Sequence, residues 1–174
     1  QLVSSQEPVF ESLFIHDSYA CRRGKGTLAA SDRLMQFLRQ VTANGHRPAW
    51  ALKLDVASFF PSIHKATLLE ILARRTRHPD ILWLTRTILF HDPTTNYRFR
   101  SLDGGGGAPG TPGYPIPERK SLFGKENECG LPIGNLTSQL WANVYLDGVD
   151  HAMTAVFGGC RYLRYVDDIA VFSD

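Results

Sequence analysis

Asp167 and Asp168 stand side by side within Tyr162-Leu-Arg-Tyr-Val-Asp-Asp-Ile-Ala-Val-Phe-Ser173, a run that is otherwise largely apolar, β-branched and aromatic. Flanks of this kind read as two short strands, which puts the acid pair at the tip of a tight hairpin. Adjacent carboxylates repel each other, and the usual chemistry that accommodates them is a divalent cation held by hard oxygens. Alone, the pair reads as an ordinary Asp-Asp turn. A third acid shifts that reading. The stretch from Trp50 to Ile63 is another strand-like apolar run, interrupted by Asp55 before the chain turns toward a helix. The 112 positions from Asp55 to Asp167 leave room for connecting helices that would bring the two strands together.

Those elements must come from a chain of 174 residues, enough for one domain with a real core or for most of a larger one. It begins at Gln1 and stops at Asp174 just after the hairpin, and so reads as a fragment. No continuous apolar stretch has the length of a secretory signal or a membrane span, so a soluble, cytoplasmic protein without a membrane partner is expected. The three cysteines, Cys21, Cys129 and Cys160, are far apart and form no C-x-x-C pair, which argues against a disulfide framework or structural zinc.

The formal net charge is only +2, but it is unevenly distributed. Up to residue 54 there are seven Lys/Arg against four Asp/Glu, and from His64 to Arg100 seven against three. The last 74 residues carry five basic and nine acidic groups. A basic flank facing an acidic, cation-binding centre suits a polyanion gripped by its phosphates while metals act on one of them. For Arg74, Arg75 and Arg77 a solvated helix face explains the charge equally well.

In chain order, the apolar positions of residues 1–18 predict a helix that breaks near Pro8. A loop from Asp17 to Thr27 follows, with Arg22, Arg23 and Lys25 beside two glycines, a composition that lets backbone and cations approach phosphate. Helical spacing runs from Leu28 to Ala43, from Lys65 to Arg75 after Pro61-Ser62, and from Ile81 to Phe90. His64, His78 and His91 are isolated and read as surface or packing residues. Between His91 and Glu128 periodicity is lost. Gly104 to Gly107 are followed by Ala108-Pro109 where a phosphate loop needs Gly-Lys-Ser/Thr, so a flexible insertion at about 101–117 is expected. Gly130 to Gln139 then lead into an amphipathic helix with Leu136, Leu140, Val144 and Val149 on one face and Asn135 or Thr137 as N-cap.

The order of an acid-bearing strand, helices, a glycine-led helix and an acid hairpin resembles the palm of a reverse transcriptase. Asp55 matches that family's first catalytic aspartate, Gly130 to Gln139 its turn and helix beneath the incoming nucleotide, and Tyr165-Val-Asp-Asp168 its signature tetrapeptide. Ser18-Tyr19 and Arg22 to Lys25 resemble a fingers segment of bacterial, group II intron-like enzymes, from which Ala20, Cys21, Arg23 and Lys25 depart. Ile133-Gly134 and Ser138-Gln139 stand where many relatives have Gln-Gly and Ser-Pro. That form resembles the diversity-generating retroelement branch, which copies a template RNA into cDNA with errors at adenines; retron and group II intron enzymes are the nearest alternatives.

The resemblance implies an α+β fold: a right-hand polymerase palm over 49–174, a split βαβ unit whose antiparallel sheet is backed by helices. Partial helical fingers would occupy 1–48, with the primer grip and thumb outside the fragment, which by itself would be inactive. It implies two Mg²⁺ ions about 3.5–4 Å apart, with Mn²⁺ as substitute, acting in an in-line transfer to a primer 3′ hydroxyl. Asp55 and Asp167 would bridge both ions, with Asp168 as third acid and the Val56 carbonyl as a further ligand. The backbone of Ser58, Phe59 and Phe60 would lie under the triphosphate and sugar, with Phe60 as the aromatic gate against a ribose 2′ hydroxyl. Phe59 would face the core, since neighbours on an extended segment point opposite ways. Ile133 and Gly134 would border the nucleotide. Arg22, Arg23, Lys25, Ser138, Gln139, Tyr165 and Val166 would contact template and primer. The implied partners are template RNA, a DNA or RNA primer, dNTPs and a basic accessory protein. A non-catalytic RNA-binding relative has little reason to keep all three acids, and the signature of diguanylate-type cyclases is absent.

Overall fold

The computed structural model describes residues 1–96, 121–124, 127–158 and 160–174; the expected insertion at about 101–117 lies outside the described residues. The elements in order are α1 (Leu2–Glu11), α2 (Thr27–Val41), β1 (Trp50–Asp55), α3 (Phe59–Ser62), α4 (Lys65–Ala73), α5 (Pro79–Phe90), α6 (Leu136–Val156), β2 (Arg161–Tyr165) and β3 (Asp168–Ser173). Helices and a small antiparallel sheet make an α+β arrangement, in agreement with the expected class.

The sheet has the order β1-β3-β2, so the hairpin strand β3 is central and the Asp55 strand forms an edge. One sheet face puts Leu163 and Phe172 against Phe37, Val41 and Ala30 of α2. The other sets Tyr162, Ile169 and Val171 against Met153 and Phe157 at the end of α6. Neither layer reaches β1, all six residues of which are exposed; Trp50 is 80% exposed. The largest cluster lies away from the sheet, where Phe10 and Phe14, Leu68 and Leu72, and Leu140, Trp141 and Val144 bury together.

Three local expectations are corrected. α1 runs through Pro8 instead of breaking there. Proline removes a helix hydrogen bond, but tertiary anchors hold this helix on either side of it: buried Gln6 donates to Thr85 Oγ1 and accepts from Trp141 Nε1, both at 3.0 Å, and Phe10 is buried in the main core. On α6, Leu136 and Val149 are exposed, while Ser138, Asn143 and Asp150 are buried. The helix is thus packed on a side containing polar groups, of which Asn143 and Asp150 are both bonded by Arg164. Ser58 to Ser62 is not extended, because Phe59–Ser62 forms the single helical turn α3.

Candidate active site

The acid hairpin closes with Tyr165 opposite Asp168 and a two-residue loop, Val166-Asp167. Two-residue hairpin loops need a positive φ to match the strand twist, and the residue that takes it is Val166, at φ 57°. A β-branched residue there costs on the order of 1–3 kcal/mol, strain that persists only where the surroundings over-determine it. Ser58, between β1 and α3, is also left-handed at φ 53°, so both backbones that border the acids are tightly turned.

Pairing of β1 with β3 sets Asp55 directly opposite Asp168, with Asp167 next on the turn and its carbonyl accepting from the Val56 amide at 3.4 Å. Asp55, Val56, Ser58, Phe59, Phe60, Ile133 and Asp167 line one cavity of about 400 Å³. Ile133 reaches it because Leu131 N donates to Phe60 O and Gly130 N to Ile63 O, both at 2.9 Å, binding the glycine turn to α3. Gly130 (φ +97°) allows that approach, since a Cβ there would meet Leu122 Cδ2 at 2.5 Å. Phe59 is buried and Phe60 half-buried, their rings in edge contact with centroids 5.3 Å apart. Phe59 therefore faces the core as expected, although by helical rather than extended geometry.

The donor set of three carboxylates and the Val56 carbonyl consists of hard oxygens and fits Mg²⁺ or Mn²⁺. Among the described residues no group of three His, Cys, Asp or Glu is gathered at metal-holding distance. Asp168 instead pairs with Lys53 Nζ at 3.1 Å, so a positive charge already stands beside the acids. Lys53 went unnoticed in the sequence; its position two residues before Asp55, on the same strand face, was the available signal.

The remaining predicted residues do not line this cavity. Arg22 is turned inward: it donates to Glu11, to Ile15 O and to Ser18 O, and covers the Phe14 ring. Arg23 is largely exposed, 3.7 Å from Glu7. Lys25 donates to His16 O and lies over the Tyr19 ring. This loop runs beside β2, not β1, with Tyr19 N donating to Arg164 O and Arg164 N to Asp17 O. Burial pushes up the Asp17 carboxyl, but bonds from Arg33, His16 and Tyr19 outweigh it and hold that group below its ordinary range. Ser138 is buried, Gln139 half-buried, and Gly134 exposed beside Ile133. Tyr165 shares a hydrogen bond with Thr27 Oγ1 at 2.9 Å, and Val166 packs on the main core. No helix of the described residues is long and apolar enough to cross a membrane.

A search of curated proteins found no match. A protein-family model described as reverse transcriptase (RNA-dependent DNA polymerase) matches residues 2–174.

Proposed function

The chain belongs to the reverse transcriptase family of RNA-directed DNA polymerases, and we propose that it extends a primer on an RNA template at the cavity between β1, α3 and the hairpin turn. The observation that carries this is the shared cavity, to which segments up to 112 positions apart bring Asp55, Asp167, Phe60 and Ile133. In this reading the sheet and α6 form the palm, a split βαβ unit, and residues 1–48 belong to the fingers.

The reaction is an in-line transfer: the primer 3′ oxygen bonds to the α-phosphorus of a dNTP as the bond to the β-phosphate oxygen breaks and pyrophosphate leaves. Asp55, Asp167 and Asp168, with the Val56 carbonyl, would hold two Mg²⁺ ions. When bound, these supply activation of the attacking hydroxyl and neutralisation of the leaving charge. The tight turn at Ser58 presents backbone to the triphosphate, and Phe60 stands beside the sugar. Arg23 and Lys25, with the neighbouring loop, supply charge for template and primer. Mg²⁺-dependent extension of a primer on RNA with dNTPs tests the reading; absence of RNA-templated product from the full-length protein would refute it.

Phe60→Ala opens space beside the sugar, so the rNTP/dNTP ratio of kcat/KM should rise by about ten- to a hundredfold. An unchanged ratio in steady-state incorporation assays would assign the gate to another residue.

Within the family, Ile133 and Ser138-Gln139 favour the diversity-generating type over retron and group II intron enzymes, with a basic accessory protein as a further partner. Ile133 is 60% exposed at the cavity and offers bulk without a hydrogen bond. Selectivity is a difference in transition-state binding, so one orienting polar contact is worth about tenfold in misincorporation. Sequencing of cDNA from wild type and Ile133→Gln on one RNA should show about tenfold fewer errors in the variant. Equal spectra would remove Ile133 from fidelity, and uniformly high wild-type fidelity would remove the diversity-generating assignment.

A further inference from the structure

The carbonyl that precedes Asp167 is held from inside the protein. Arg164, 1% exposed, directs Nη1 to Val166 O at 2.8 Å and to Asn143 Oδ1 at 3.1 Å. Its Nε and Nη2 grip Asp150 Oδ1 and Oδ2 at 2.7 and 2.6 Å, and Nη2 also reaches Ser18 Oγ. Asn143 and Asp150 lie seven residues apart on one face of the 21-residue helix α6, so the guanidinium is a strut between a long, packed helix and a two-residue turn. Nε and Nη2 alone would satisfy the ion pair; the bond from Nη1 to the turn is additional.

That bond falls where the backbone is least willing. Val166 occupies a left-handed conformation that a β-branched residue resists, and the next side chain is Asp167. With Arg164 on the Val166 carbonyl and the Val56 amide on the Asp167 carbonyl, the peptides on both sides of Asp167 are tied down. We propose that Arg164 is the positioning residue of this site, holding the strained turn so that the Asp167 carboxylate faces the cavity. This rests on the reading of Asp167 as a metal-holding acid.

Arg164→Lys keeps a cation opposite Asp150, but a point-charge ammonium cannot reproduce the planar fork that reaches both Asp150 and the turn. In the full-length protein it should fold, weaken Mn²⁺ binding measured by EPR by about tenfold and lower kcat by about ten- to a hundredfold, with dNTP KM little changed. Adding Val166→Gly, which adopts the turn without strain, should recover most of both losses. Where Asp167→Asn does weaken Mn²⁺ binding, wild-type Mn²⁺ affinity and kcat in Arg164→Lys, or losses that Val166→Gly leaves untouched, would overturn the proposal and leave Arg164 as a partner of Asp150 only. If Arg164→Lys does not fold, the charge-free pair Arg164→Met with Asp150→Asn is read by the same rule, and failure of both to fold also overturns it. Amide hydrogen exchange across residues 165–168 separates this proposal from the metal reading. Faster exchange in Arg164→Lys with undiminished Mn²⁺ binding in Asp167→Asn upholds the strut and refutes the metal role; unchanged exchange refutes the strut.

Discussion

Asp167→Asn should lower single-turnover extension on RNA by about a thousandfold, near 4 kcal/mol of transition-state stabilisation, while leaving the thermal midpoint close to wild type. Asparagine preserves the volume of the side chain at the hairpin tip but removes the negative charge with which the cavity would hold cations. The two bonds to the turn's carbonyls, from Arg164 Nη1 to Val166 O and from Val56 N to Asp167 O, are made to backbone and are kept in the substitution. The prediction therefore separates chemistry from folding. Single-turnover kinetics with saturating dNTP and a thermal melt on the same preparation decide it, and a rate within a few-fold of wild type would exclude Asp167 from the reaction.

Asp150→Ala should act in the opposite way, through stability. Asp150 is 0% exposed and accepts from Arg164 twice and from the Tyr162 hydroxyl at 2.6 Å. Removing it strands a buried guanidinium, which costs about 3–5 kcal/mol, or a fall of roughly 10 °C in the unfolding midpoint for a chain of this size. Burial, and then the bond to Asp150, push the Tyr162 phenol above its ordinary value. Because the folded value is the higher one, the stability this group contributes is complete below about pH 10 and is lost as pH rises past it. In Asp150→Ala the alkaline loss should shrink. A melting midpoint within 2 °C or so of wild type would show that the core accommodates Arg164 without its partner.

These two acids differ in how readily they are found. Asp167 announces itself by standing beside Asp168 in an apolar run. Asp150 is one of several acids near the chain end, and nothing adjacent marks it. Arg164 had a weak signal, a cation between Leu163 and Tyr165 in a strand whose neighbours are apolar; its partners Asn143 and Asp150, two helical turns apart, were legible only as polar interruptions of an otherwise apolar helix.

Short-range patterns in the sequence were sufficient for the hairpin and its acid tip, the Asp55 strand, the helices around 27–41, 65–73, 79–90 and 136–156, and the order of motifs that carries the family resemblance. Each depends on residues within a few positions of one another, where periodicity and turn chemistry act directly. Tertiary structure alone decided the pairing of Asp55 with Asp168, the exposure of β1, the passage of α1 through Pro8, the inward commitment of Arg22 and the strut from α6 to the turn. The physical reason is common to all of these. A charged or polar side chain, or a strained backbone, is stable in one place or another according to which distant groups desolvate it and which donors and acceptors they offer, and that is a property of the packed chain and not of any window along it.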